Sequence, residues 1–141
     1  MRTTISRLSL RLMVSSMALP VVAADAVFID TSDALNLMAF DAATRDIRWQ
    51  FFTGGWTWAQ PMIDDNTVYI GAISAFLYYF EGIDLERGFF AVDAATGQQK
   101  WCVDLPAVKG YVTGGAFATS AVARGVVYVA SLDGTIHAIR Q

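Results

Sequence analysis

The sequence predicts an all-β chain of β-propeller blades, each a four-stranded antiparallel sheet, and three observations predict it. An eleven-residue stretch, Ala91-Val92-Asp93-Ala94-Ala95-Thr96-Gly97-Gln98-Gln99-Lys100-Trp101, occurs earlier as Ala39-Phe40-Asp41-Ala42-Ala43-Thr44-Arg45-Asp46-Ile47-Arg48-Trp49, with six of eleven positions identical. Shorter segments repeat in step with it: Val27-Phe28-Ile29, Val68-Tyr69-Ile70 and Val127-Tyr128-Val129, and also Thr53-Gly54-Gly55 and Thr113-Gly114-Gly115. The spacings from Val27 to Val68 and from Val68 to Val127 are 41 and 59 residues, the longer one carrying insertions around 73–88 and 104–112. A period near 40 with several short strands per unit is the signature of propeller blades. Finally, no segment shows sustained helical periodicity backed by caps.

Taken in order, the chain begins with a segment that reads as a secretory leader over residues 1–24. Arg2, Arg7 and Arg11 give it a positive start, Leu12 to Leu19 a short apolar run, and Val22-Ala23-Ala24 small residues for cleavage, with Ala23 and Ala26 as alternative cut points. The run is shorter than the roughly 20 apolar residues that span a bilayer, so no transmembrane segment is expected in the mature chain. Loss of the three arginines leaves seven basic and thirteen acidic residues, a net charge near −6. That balance gives no footprint for nucleic acid and fits a periplasmic or secreted protein.

Residues 25–141 then form one domain. Strands are expected near 27–30, 36–40, 48–52, 58–63, 67–71, 88–92, 100–104, 117–122, 126–130 and 135–139, the alternation being clearest in Thr135-Ile136-His137-Ala138-Ile139. Within each repeat Asp93 and Asp41 open a turn, because a short carboxylate accepts hydrogen bonds from backbone N–H groups two or three residues on. Gly97 suits a left-handed turn position, whereas Arg45 there makes the first turn either strained or differently shaped. Trp49 and Trp101 bring the large buried area that packs neighbouring sheets. Sorted by repeat position the strands number three, four and three, about two and a half blades of an incomplete propeller. Rings of about 4–8 blades protect their edges by closure. Open outer blades expose apolar faces and unpaired backbone and invite association with protein partners or with further copies. Arg140 stands where the next motif aspartate falls, which points to a truncated product.

The pattern Val-Tyr-Val followed by Ala-x-Asp-x-x-Thr-Gly-x-x-x-Trp resembles the repeat of pyrroloquinoline-quinone (PQQ)-type β-propellers, the quinoprotein alcohol dehydrogenase-like group. Asp133-Gly134-Thr135-Ile136-His137-Ala138-Ile139 resembles the segment that precedes that motif. The resemblance covers residues 27–141. It implies a propeller fold shared by quinoprotein dehydrogenases and by propellers with no cofactor, such as the barrel-assembly propeller of the bacterial envelope. By that resemblance alone, PQQ with calcium enters as a possible cofactor, with Trp56 and Trp58 as the residues that would stack on the quinone. The dehydrogenases' adjacent cysteine pair is missing, and their calcium ligands and catalytic aspartate find no counterpart in this sequence.

The remaining chemistry-bearing residues read as structural. Asp64-Asp65-Asn66 lacks the alternating oxygen ligands of a calcium loop and reads as a turn. His137 is the single histidine and Cys102 the single cysteine, which argues against zinc and excludes an internal disulfide. Cys102 is expected to be buried as a small apolar residue. No serine carries a nucleophile motif and no glycine pair makes a phosphate loop. The insertion from Ile73 to Arg87, with its cluster Phe76-Leu77-Tyr78-Tyr79-Phe80, reads as an extended hairpin or a partner-binding loop. The sequence therefore implies an exported, non-catalytic protein-binding scaffold, with a fragment of a PQQ-dependent alcohol or sugar dehydrogenase as the alternative. No cofactor, metal or catalytic residue is expected.

Overall fold

The computed structural model describes residues 18–75 and 85–140, and these form three antiparallel sheets. Blade 1 is a meander of β1 (Val21–Ala23), β2 (Ala26–Thr31), β3 (Asn36–Asp41) and β4 (Ile47–Phe52). Blade 2 repeats it with β5 (Met62–Asp64), β6 (Thr67–Ala75), β7 (Gly88–Asp93) and β8 (Gln99–Asp104). An extra strand, β9 (Val112–Gly115), pairs with the far end of β6. Blade 3 holds β10 (Ala121–Ala123), β11 (Val126–Ala130) and β12 (Ile136–Arg140).

Turn chemistry sets the registers. The first and second strands of each blade are joined by two-residue turns, Ala24-Asp25, Asp65-Asn66 and Arg124-Gly125. Each turn opens on a left-handed residue, Ala24, Asp65 or Arg124, at φ 50°, 49° and 53°. Positive φ at this position matches the right-handed twist of the flanking strands. The third and fourth strands are joined by the aspartate turn. Asp41 Oδ1 accepts from the Ala43 and Thr44 N–H groups at 2.9 Å each, and Asp93 Oδ1 from Ala95 and Thr96 at 3.1 and 3.0 Å. Arg45 adopts φ 71° where Gly97 has 74°, so the first turn keeps the shape of the second and carries the strain of a side chain in the left-handed region.

Strand alternation gives every blade two faces, one toward the following blade and one toward the preceding blade. Phe28, Leu37, Ala39 and Trp49 of blade 1 pack on Val68, Ile70, Phe90 and Val92 of blade 2. One repeat on, Tyr69, Phe89, Ala91 and Trp101 pack with Val127, Val129 and Ile139 of blade 3. The two cores are thus one interface used twice. Trp49 fixes the first: it lies 5.7 Å from Phe28 and its Nε1 donates to the Ala94 carbonyl at 3.0 Å, on the aspartate turn of blade 2. Gly97 sits beneath the indole, where a Cβ would meet ring atoms at 2.7 Å.

The strands depart from expectation in four places. Blade 1 has four strands rather than three, because Val21–Ala23, inside the segment read as leader, pairs with Ala26–Phe28. Residues 58–61 and 117–120 are loops, and the strands expected there start at Met62 and Ala121. Finally, β9 went unread because Gly114 and Gly115 lack the side chains that make a strand pattern visible. Cys102 is exposed, contrary to the burial expected of it. It alternates with the half-buried Trp101 and Val103 on the outermost strand of blade 2, so it lies on the other, exposed side of that strand.

Candidate functional site

The meander sorts the connections to two ends. Short turns gather at one, and at the other lie the links from second to third strand and from blade to blade, the longer and more variable set. The second end is where propeller-type chains present loops, and Trp56 and Trp58 lie there.

Trp56 is held by backbone pairing with Ile73, its N–H donating to the Ile73 carbonyl at 3.0 Å and its carbonyl accepting from Ile73 N–H at 2.9 Å. The preceding Thr-Gly-Gly explains the close approach. Thr53 donates from its hydroxyl to the Leu35 carbonyl at 2.8 Å, and a Cβ on Gly55 would sit 2.8 Å from the Ile73 carbonyl. Gly115 lies against the other edge of the same strand, opposite Ile73. The two Thr-Gly-Gly segments thus clasp the extended end of β6. The indoles of Trp56 and Trp58 stack on each other, centroids 5.3 Å apart and planes 11° apart. Trp58 Nε1 donates to Ser32 Oγ at 2.6 Å. Trp56 is buried among Leu35, Ile73 and Ala75, with Trp58, Leu85, Val112 and Leu132 packed against them. The buried Ser32 and Thr53 reach this cluster through Trp58 and the Leu35 carbonyl, and the buried Ser74, next to Ile73, shares a 2.7 Å hydrogen bond with Thr113.

The strongest electrostatics sit at the opposite, turn end. Arg48 spans Asp25 and Asp41, donating at 2.7 and 2.6 Å. Its hydrogen bond holds the Asp41 carboxyl far below the ordinary carboxylate range, with the Thr44 and Ala43 N–H groups adding to the effect. The same guanidinium lowers Asp25. Partial burial opposes ionisation of Asp93, and the Thr96 and Ala95 hydrogen bonds outweigh it, so that carboxyl is lowered too. Lys100 takes the Arg48 position in blade 2, 3.6 Å from Asp93, and also donates to the Asn66 carbonyl and the Thr67 hydroxyl. At the loop end, in the link between β11 and β12, Asp133 is lowered mainly by the Thr135 N–H, with His137 Nε2 at 3.8 Å. These are turn-building carboxylates, scattered over separate turns. Among the described residues no three of His, Cys, Asp and Glu converge on a point that could hold a metal.

The structure therefore brings Trp56 and Trp58 together, and places Asp41, Trp49, Asp93, Gly97 and Trp101 at blade joints away from them. Two features went unseen in the sequence, the Ser32 contact of Trp58 and the Arg48 bridge. A signal for the second existed, since a basic residue precedes each repeat tryptophan. The aromatic cluster at 76–80 lies outside the described residues.

No protein-family model matches the sequence, and no curated protein matches it. Solved structures do match. BamB from Moraxella catarrhalis superposes with a TM-score of 0.70 at 22% identity, over 92% of this chain and 35% of BamB. A quinohemoprotein alcohol dehydrogenase from Comamonas testosteroni superposes at 0.59 with 21% identity, over 84% of this chain and 17% of the enzyme. A europium-containing methanol dehydrogenase gives 0.58 at 13% identity, over 79% and 19%. The chain thus spans about a third of the first and a fifth or less of the others. At such identities the likeness is one of fold: the chain is a run of β-propeller blades, part of a propeller's worth. No helix among the described residues is long and apolar enough to cross a membrane.

Proposed function

We propose that this chain is an exported, non-catalytic module of PQQ-type blades that binds other proteins, placed in the periplasm or secreted after loss of a leader that ends before β1. The observation that carries this reading is the engagement of the loop-end aromatics. Trp56 is buried, and Trp58 is stacked on it and tied to Ser32. Trp56 is enclosed on both sides by packing between blade links, and Trp58 spends one ring face on Trp56 and its N–H on Ser32, so the pair serves first to join those links. Export rests on the leader pattern of Arg2, Arg7, Arg11 and the apolar run that follows.

A second reading, a piece of a PQQ-dependent alcohol or sugar dehydrogenase, draws on the fold likeness to the dehydrogenase structures. The fold itself serves BamB and the dehydrogenases alike. The described residues do not fit the cofactor: no acidic cluster converges for calcium, and Cys102 is the sole cysteine of the chain. Titration of the full chain with PQQ, with and without calcium, followed by tryptophan fluorescence, tests the choice. The expected outcome is no saturable quenching. Calcium-dependent quenching with a one-to-one end point, lost in Trp58→Ala, would overturn the scaffold reading in favour of the dehydrogenase one.

A further inference from the structure

We propose that the leader is removed at the Ala18–Leu19 bond, so that Pro20 to Ala24 stays in the exported protein as the entry to blade 1. This deepens the exported-module reading and rests on it. The three blades begin alike. Val21-Val22-Ala23-Ala24-Asp25, Met62-Ile63-Asp64-Asp65-Asn66 and Ala121-Val122-Ala123-Arg124-Gly125 hold one repeat position, each a three-residue strand followed by a two-residue turn. Their registers coincide: Val21, Met62 and Ala121 lie opposite Phe28, Tyr69 and Tyr128, the matching aromatics of the second strands. Ala24, Asp65 and Arg124 take the same left-handed backbone, at φ 50°, 49° and 53°. Pro20 and Pro61 each stand directly before the strand. The proline and the small residues that read as the close of a leader are therefore the blade repeat itself.

The seating of this segment agrees. Ala23 packs on the core between blades 1 and 2, and β1 lies against β5, the first strand of blade 2. The Asp25 carbonyl accepts from the Ala42 N–H at 2.8 Å, just as the Asn66 carbonyl accepts from the Ala94 N–H at 3.0 Å. A cut after Ala24 falls at the centre of the turn and a cut after Ala23 at its start. Either one detaches β1 and leaves β2 with an unpaired edge. A cut after Ala26 removes a buried core residue as well. Just upstream, Ser16-Met17-Ala18 sets small residues at the first and third positions before the Ala18–Leu19 bond, the spacing of a leader cleavage site. Leu19 and Pro20 are exposed, so the chain on the product side of this bond lies clear of the core. Residues 1–18 retain Arg2, Arg7, Arg11 and the apolar residues from Leu12 on, the features that mark a leader. The step is a hydrolysis. Water adds across the Ala18–Leu19 amide, Ala18 leaves with a carboxylate, and Leu19 opens the product with an ammonium.

The test expresses the full chain in a Gram-negative host and reads the N-terminus of the protein in the envelope and cytosolic fractions by intact mass and N-terminal sequencing. Two variants accompany the wild type. Ala18→Arg removes the small residue before the proposed bond. Ala24→Arg removes the one before the competing bond and suits the fold, because Arg124 holds the same turn position in blade 3. The expected result is an envelope protein starting at Leu19 in the wild type and in Ala24→Arg, with residues 1–18 retained in Ala18→Arg. A product starting at Ala24, Asp25 or Val27, or processing that stops in Ala24→Arg and continues in Ala18→Arg, would overturn the proposal. An envelope protein that still starts at Met1 would overturn the site and leave export standing. A protein confined to the cytosol and starting at Met1 would sink the export reading and the site with it.

Discussion

At the residue scale, the clearest consequence lies at the two aspartate turns. Arg45 holds a left-handed backbone that costs an L side chain about 1–2 kcal/mol and costs glycine almost nothing. Arg45→Gly is therefore expected to raise stability by about 1 kcal/mol, read as a higher urea midpoint at unchanged slope. Asp25, Asp41, Asp93 and Asp133 are all lowered from an ordinary 3.8, so each is more acidic folded than unfolded. Their contribution is present above the unfolded value and is lost as pH falls through and below it. Urea midpoints should be level above about pH 5 and drop below about pH 4, and Asp41→Asn should start lower and fall less. The turn carboxylates were legible because a repeated Asp two residues before an N–H donor has a local physical reason. The exposure of Cys102 was not legible, because strand alternation does not say which side of a strand another blade covers.

At the element scale, the strands that the sequence revealed are those whose side chains pack on both faces, such as Thr67–Ala75 and Gly88–Asp93, buried along nearly their whole length. The strands it hid are short, small or glycine-rich. Among these, β1 matters most, for it completes blade 1 from within residues 1–24 and Ala23 packs on the first core. A chain starting at Asp25 leaves the β2 edge bare. It should melt lower than one starting at Leu19, measured by circular dichroism at equal concentration, and equal melting temperatures would show that β1 contributes nothing to blade 1. The tryptophan strands differ in the same way. Trp49 is 8% exposed and bonded to the next turn, whereas Trp101 is half-buried between Tyr69 and Phe89, 5.9 and 6.1 Å away. Trp49→Ala should cost about 3–5 kcal/mol and Trp101→Ala measurably less, both by chemical denaturation.

At the scale of the whole molecule, the eleven-residue repeat is a joint between blades more than a feature of either blade. One copy supplies the tryptophan and the next supplies the glycine turn on which it rests. The propeller architecture was legible because that joint recurs in sequence, and the loop-end site was not, because Ser32 meets Trp58 across 26 residues with no repeat to announce it. The double-mutant cycle between Trp49→Ala and Gly97→Ala measures the joint directly. In the native chain Gly97→Ala pays both for its φ of 74° and for the clash with the indole, and without Trp49 only the first remains. The expected coupling is about 1–3 kcal/mol, within the range of residues in direct contact. Additive losses, with Gly97→Ala equally costly in both backgrounds, would contradict the docking of one blade's tryptophan on the next blade's turn.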